Sequence, residues 1–221
     1  MATQKLPGTD AARNGSGDAD LTIMIAAHDA FRRDLERLAR AAAFADLADP
    51  RRRGSVRAGW ETFKRQLHMH HTAEDDIIWP AMRDRLAHSA QARSVLDAME
   101  SEHELIDPLL ATVDYAFDNP ENRQIADAAD ALASALHQHL VHEERDALPL
   151  IGVALTAAEW RGVGLKMARK NGLSAASEMF AWMTDGAPAD QAAAAVRTLP
   201  PPVRLIYRAV WKPRFARAAR W

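Results

Sequence analysis

Two stretches of the sequence repeat one pattern of chemistry-bearing residues. HHTAEDDIIWP (70 to 80) aligns without gaps to HLVHEERDALP (139 to 149), and both read H-x-x-x-E-x-x-x-x-x-P. A His and a Glu four residues apart lie one above the other on a helix. His70 with Glu74, and His139 with Glu143, can therefore each reach one ion or two adjacent ions. The segments that precede them match as well. His28-Asp29-x-Phe31 parallels His103-Glu104-x-Ile106, with Met24 and Met99 four residues earlier. The chain reads as a duplicated helical hairpin, each copy supplying one His and then one H-x-x-x-E.

His28, His70, Glu74, His103, His139 and Glu143 all interrupt apolar helical faces. His28 falls seven residues from both Leu21 and Leu35, His103 seven from both Leu96 and Leu110, and His139 and Glu143 stand in line with Leu132 and Leu150. A single His on such a face is ordinarily a hydrogen-bonded core residue. An ordered set at matched depth, with two carboxylates, is not accounted for that way. Buried charge needs compensation, and two divalent cations bridged by Glu74 and Glu143 would supply it. The chain has no cysteine, so any metal is held by nitrogen and oxygen. That donor set suits non-haem iron, and manganese or zinc less well. His71 and His142 make rival pairs with Asp75 and Asp146, nine and seven residues before their prolines and so out of register with the repeat. On that ground His71 is left out of the ligand set and His142 is given at most a supporting role. His68 and His137 point elsewhere, and His88 lies near a helix end.

These residues need helices to carry them. Ala, Leu, Arg and Glu are abundant and β-branched runs are absent, which favours helix throughout. The apolar spacing predicts helices from Asp20 or Thr22 to before Asp49-Pro50, from about Gly54 into the 80s, from about Gln91 to Phe117 with a kink at Pro108, and from about Glu121 to Leu155. Short connections make this an all-α, antiparallel up-down-up-down four-helix bundle over 20–155, with additional short C-terminal helices over 156–221. Residues 1–19 read as a disordered polar tail without the apolar core of a signal peptide, which suggests a cytoplasmic protein. There is no transmembrane-length apolar run. With 28 basic and 30 acidic residues, overall charge gives no argument for nucleic acid.

The C-terminal part opens on a capping box, Thr156 to Glu159, and is punctuated by Asn171-Gly172, Asp185-Gly186 and the prolines at 200 to 202. Residues 201 to 221 carry Arg204, Arg208, Lys212, Arg214, Arg217 and Arg220 and no acid, interleaved with Val203, Ile206, Val210, Trp211 and Phe215. Such a segment can lie on an anionic membrane or contact nucleic acid. The simpler reading packs its apolar side on the bundle while the arginines face water or the bundle's acids. Met179, Phe180, Trp182 and Met183 either cover an open bundle end or form a homodimer contact.

The ordered set His28, His70-x-x-x-Glu74-Asp75 with IIWP, His103, and His139-x-x-x-Glu143-Glu144 with LP resembles the hemerythrin-like (HHE cation-binding) family, over about residues 20 to 155. The later residues look like the extension of its bacterial members. The resemblance implies an oxo- or hydroxo-bridged di-iron centre, with His28 and His70 toward one iron, His103 and His139 toward the other, and Glu74 and Glu143 bridging. The sequence departs from the classical oxygen carriers at two points. Asp107 stands where they have a second His on the third helix, and is either a ligand or a surface residue ahead of Pro108. Their last carboxylate is five residues after the fourth-helix His, which here is Glu144, whereas the repeat selects Glu143. Fewer histidines and more carboxylate make reversible oxygen carriage a poorer expectation. What remains is redox handling of dioxygen, peroxide or nitric oxide, including catalase-like peroxide turnover. It would use a small apolar pocket lined by Met24, Met99, Trp79 and Phe31, and an external reductant where the reaction needs one. The alternative is a non-enzymatic iron or oxygen sensor that signals through the C-terminal extension. No phosphate loop, nucleophile elbow, flavin or nicotinamide motif is present to suggest another reaction.

Overall fold

The computed structural model describes residues 19–221 apart from 45, 46, 48, 120 and 121. The expected polar tail and the expected helix start at Glu121 lie outside the described residues. The helices are α1 (Thr22–Phe44), α2 (Pro50–Ala73), α3 (Trp79–Arg85), α4 (Ala90–Asp118), α5 (Asn122–His142), α6 (Leu148–Ala154), α7 (Ala157–Met183), α8 (Ala189–Arg197), α9 (Pro201–Ile206) and α10 (Lys212–Ala216). Four rods, α1, α2–α3, α4 and α5–α6, make the all-α bundle. α5 packs on both α1 and α4, and α2 closes the other side.

Local chemistry sets the boundaries. Asp49 caps α2 by accepting from the Arg51 N–H, with Pro50 in the first turn where a missing N–H costs nothing, so α2 begins ahead of Gly54. Ser89 caps α4 in the same manner, and α4 continues through Pro108 to Asp118. Thr156 and Glu159 form the capping box that opens α7.

Two rods are not the continuous α-helices that periodicity predicts. Between α2 and α3, Glu74–Ile78 forms a π-helical turn, and Glu143–Ala147 forms another between α5 and α6. Both turns lie directly ahead of the prolines of the repeat, Pro80 and Pro149. Proline has no N–H, and its ring excludes the carbonyl four residues back. The residue ahead of it bonds five residues back, Trp79 N–H to Glu74 O and Leu148 N–H to Glu143 O. A third such turn, Tyr207–Trp211, precedes Pro213. Single π-turns in α-helices are frequent at functional sites, and the first two begin at the two carboxylates of the repeat.

The apolar interior is split into two clusters. One holds Phe31, Leu35, Leu38, Trp60, Phe63, Leu67, Ile106, Leu132 and Leu136. The other holds Met24, Ile78, Trp79, Met82, Leu96, Met99, Leu148 and Ile151. The four expected pocket residues Met24, Met99, Trp79 and Phe31 are divided between the two clusters. Phe31, one turn past His28, lies in the first cluster, and the other three lie in the second. The buried imidazoles and carboxylates come from the turns between the two clusters.

The C-terminal helices extend the first cluster. Phe180, Trp182, Met183, Val196, Leu199, Tyr207, Trp211 and Phe215 are buried in it, with Met179 against its edge. The residues read as either bundle cover or dimer contact thus pack inward. The link is also polar. The buried Asp34 carboxylate accepts from Trp182 Nε1 at 2.7 Å, from Arg33 Nε at 2.9 Å and from Arg37 Nη1 at 3.1 Å. Gly172 (φ 77°) breaks α7 midway, and Gly186 (φ 75°) turns the chain toward α8; both occupy the left-handed region that suits glycine.

Candidate metal centre

α1 supplies His28, α2 supplies His70 and His71, the π-turns supply Glu74 and Glu143 at their first positions, α4 supplies His103, and α5 supplies His139. His28, Glu74 and Glu143 have no solvent exposure, and His71, His103 and His139 are also buried. Their donor atoms fall into two adjacent groups. His28, His70, Glu74 and Glu143 form one, and His71, His103 and His139 the other, the ligand atoms of each lying within 4.8 Å of one another.

The carboxylates stand between the groups. Glu74 places Oε1 3.1 Å from His70 Nε2 and Oε2 3.5 Å from His103 Nε2. Glu143 Oε2 lies 3.2 Å from His28 Nε2 and 3.8 Å from His139 Nε2. Each carboxylate thus faces an imidazole of both groups, one from its own H-x-x-x-E segment and one from another helix.

The outer nitrogens are held by a different set of acids. His28 Nδ1 bonds Glu144 Oε1 at 2.8 Å, an oxygen that also accepts from Arg32 at 2.8 Å. His103 Nδ1 bonds both Asp75 oxygens at 2.9 and 3.0 Å. His139 Nδ1 bonds Glu102 Oε2 at 2.9 Å. A bond at Nδ1 fixes ring orientation and tautomer and leaves Nε2 to face inward. The anchors of the two α1- and α4-borne imidazoles are exchanged between the hairpins. The residue after Glu143 holds His28 of the first hairpin, and the residue after Glu74 holds His103 of the second. Glu144 is accordingly turned toward His28 and Arg32, and Glu143 is the carboxylate that enters the layer. His142 supports the same shell, donating from Nδ1 to Glu102 Oε1 at 2.7 Å while Nε2 sits 3.3 Å from Asp146. Asp107 is exposed, which settles its two readings in favour of the surface.

His71 is the residue that the repeat hides. Its counterpart in the second hairpin is Leu140, so register comparison discards it. It nonetheless stacks on His103 with ring centroids 3.9 Å apart and planes 10° from parallel, and it lies 5.6 Å from His139, edge-on. A signal existed in the spacing. Trp60, Phe63, Leu67, His71, Glu74 and Ile78 follow one another at three and four residues and all are buried, so His71 continues the inward stripe as well as His70 does.

Charge in this layer is uncompensated. The inward atoms His71 Nε2, His103 Nε2, His139 Nε2 and both oxygens of Glu74 and of Glu143 are buried without a hydrogen-bond partner. Orphans of that kind are rare in folded proteins. The titration behaviour follows. Burial and the neighbouring Glu143 and Asp75 push the Glu74 carboxyl well above its ordinary range. Burial pushes His70 and His71 well below theirs, helped by the surrounding imidazoles, and it lowers His139. For His28 burial acts downward too, but Glu143 and Glu144 outweigh it and raise the imidazole to about 9. Burial would raise Glu144, yet His28 and Arg32 hold it at about 2. Without a cation, burial and the neighbouring carboxylates favour the protonated form of Glu74, and Glu143 and Glu144 favour that of His28. Nitrogen and oxygen donors, orphaned and converging in two adjacent groups, fit bound metal.

Comparison with known proteins agrees with this geometry. The family model of the hemerythrin HHE cation-binding domain matches residues 15–151. The chain belongs to the hemerythrin HHE cation-binding family. The zinc finger protein BRUTUS of Arabidopsis thaliana is 33% identical over 92 residues, which cover 40% of this chain and 7% of the plant protein. The chain thus matches only a small part of that relative's length. No solved structure matches it.

Proposed function

We propose that this hemerythrin-family layer holds two iron ions in the cytoplasm and performs redox chemistry on dioxygen, peroxide or nitric oxide. One ion would be held by His28 and His70, the other by His71, His103 and His139, with Glu74 and Glu143 shared between them. The observation that carries this reading is the placement of each glutamate against an imidazole of both groups, its oxygens otherwise unpartnered. His71 supplies a third imidazole to the second group from α2, where Asp107 on α4 supplies none.

Iron held by these residues would supply one-electron redox chemistry toward a small ligand. The chain's own residues do the rest. Glu144, Asp75 and Glu102 hold the Nδ1 atoms, so that little reorganisation is needed when the charge of the centre changes. The cluster around Trp79, Met82, Leu96 and Met99 closes one side of the layer against water, and Phe31, 5.2 Å from the His70 ring, closes the other. Peroxide disproportionation is the simplest outcome: of two peroxides one is oxidised and one reduced, giving two waters and one dioxygen with no external reductant. Oxidation of any other substrate would draw its reductant from another molecule.

Testing this means following peroxide loss, oxygen release and nitric oxide binding by protein loaded with ferrous iron, beside its Glu74→Gln and Glu143→Gln variants. Turnover or ligand binding that depends on both carboxylates is the expected result. Iron-loaded protein inert toward all three ligands would reject the redox reading.

One observation favours a sensor as the second reading. Asp34, six residues after His28 on α1, is bonded to Trp182 of the extension, so a shift of α1 on metal loading reaches the C-terminal helices directly. Limited proteolysis beyond residue 156 that is identical in the metal-free and loaded protein would dismiss it.

A further inference from the structure

The basic C-terminal segment is only half used by the fold. α9, the π-turn Tyr207–Trp211 and α10 bury Tyr207, Trp211 and Phe215 against the bundle. Two of the six cations turn inward as well. Arg204 donates to the carbonyls of Leu199 and Arg197, and Arg220 to those of Phe215 and Ala218. The opposite face has no such partners. Leu205 is 67% exposed, Ile206 44% and Val210 52%. Arg208, Lys212, Arg214 and Arg217 are exposed among them and join no ion pair among the described residues, and residues 201–221 contain no acid. The simpler sequence reading meets the structure in the buried Trp211 and Phe215 and in cations that face water, and departs from it at Ile206 and Val210, which do not pack.

We propose that this outer face, Leu205, Ile206 and Val210 ringed by Arg208, Lys212, Arg214 and Arg217, docks the protein peripherally on an anionic phospholipid surface. Large apolar side chains with cations beside them on one helical face are the two features such binding uses. Charge complementarity decides the occupant. A two-fold contact with a second copy would set the four cations against the same four. A nucleic acid would engage the cations but leave Leu205, Ile206 and Val210 with nothing to bury them. An anionic bilayer satisfies both features, the cations at the headgroups and the apolar residues at the boundary below. No described helix is long and apolar enough to cross a membrane, so the contact is one of surface docking.

The test is vesicle sedimentation of the full chain, metal-free and iron-loaded, with phosphatidylglycerol–phosphatidylcholine vesicles and with phosphatidylcholine alone. The proposal expects binding to the anionic vesicles only, weakened by salt. It expects at least about a tenfold loss of partitioning in Arg208→Glu/Lys212→Glu, two reversals near a charged surface. It also expects a clear loss in Leu205→Ser/Ile206→Ser/Val210→Ser. All five side chains point to solvent, so helix content and iron uptake should match the parent. Should the triple variant misfold, the charge variant still decides. The proposal is overturned by absent binding, by equal binding to neutral vesicles, or by binding indifferent to both variants. It is likewise overturned if the triple variant turns a native dimer into a monomer, or if DNA competes the protein off the vesicles while the triple variant binds DNA as the parent does.

Discussion

Replacing Glu102 with alanine tests whether the outer carboxylates position the imidazoles. Glu102 makes two bonds that matter, from Oε2 to the buried His139 Nδ1 at 2.9 Å and from Oε1 to the half-buried His142 Nδ1 at 2.7 Å. Without it, His139 can adopt either tautomer, and its ring is held only by packing. Loss of such an anchor typically weakens metal binding about 10- to 100-fold, which is about 1.4 to 2.7 kcal/mol. His142→Ala removes only the outer bond, so it should cost less than Glu102→Ala. Asp75→Ala removes the equivalent anchor of His103, so it should cost about as much. The assay is competition against a chelator of known affinity, under anaerobic conditions, with ferrous ion. Helix content of the metal-free variants serves as the folding control. Metal affinity unchanged in both Glu102→Ala and Asp75→Ala would refute the idea that these carboxylates orient the ligands.

Other predictions follow from the same geometry. In the metal-free protein, His28 has its pKa raised from 6.5 to about 9, so its stabilising contribution is fully present below pH 6.5 and is lost as pH rises through 9. Protonated Glu74 acts in the same direction, whereas His70, His71 and His139, with lowered pKa values, cost stability as pH falls below 6.5. Urea midpoints of the metal-free protein should therefore peak near pH 6.5, and a midpoint that climbs steadily to pH 9 would contradict the charge assignment. Protons compete with a metal for Glu74 and His28, whose pKa values are both raised, so loading in weak buffer should acidify the solution, and apparent affinity should fall as pH falls; a dye reporting no proton release would count against this. Asp34→Ala leaves Trp182 Nε1 and two arginines without their shared buried acceptor, and should cost about 3–5 kcal/mol in urea unfolding and expose the extension to protease; a loss below about 1 kcal/mol would show the link to be dispensable. Gly59→Ala gains helix propensity but drives its methyl into the Trp221 ring, so the change should free Trp221 and alter the tryptophan fluorescence; an unchanged spectrum in a more stable protein would argue against that contact.

Much of the bundle was legible because two independent periodicities agree. The three-and-four spacing sets the inward faces, and the duplicated H-x-x-x-E-x-x-x-x-x-P sets their register, so the depth of His28, His70, Glu74, His103, His139 and Glu143 could be read without coordinates. The prolines at 80 and 149 were visible too, but the backbone hydrogen bonding ahead of them is not carried by side-chain periodicity. Hence the π-turns at Glu74 and Glu143, and the swing of Asp75 and Glu144 toward His103 and His28, appear only in the structure. The symmetry between the hairpins conceals His71, because Leu140 stands at its place in the second hairpin, while the inward stripe of α2 brings it beside His103 and His139. The C-terminal segment carries a compositional signal only, cations interleaved with apolar residues. Composition does not say which side of a short helix faces the bundle, so the exposure of Leu205, Ile206 and Val210 could not be foreseen.

Two metal ions sharing Glu74 and Glu143 are the centre of the proposed function. The most direct measurement is iron per chain, with the near-ultraviolet and visible spectrum, after anaerobic ferrous loading and exposure to air, on the parent chain, Glu74→Gln and His71→Ala. About two irons per chain with the absorption bands of a bridged ferric pair in the parent, loss of those bands in Glu74→Gln, and weakened occupancy in His71→Ala are predicted. A single iron per chain, or bands that persist in Glu74→Gln, would contradict a metal pair bridged by that carboxylate.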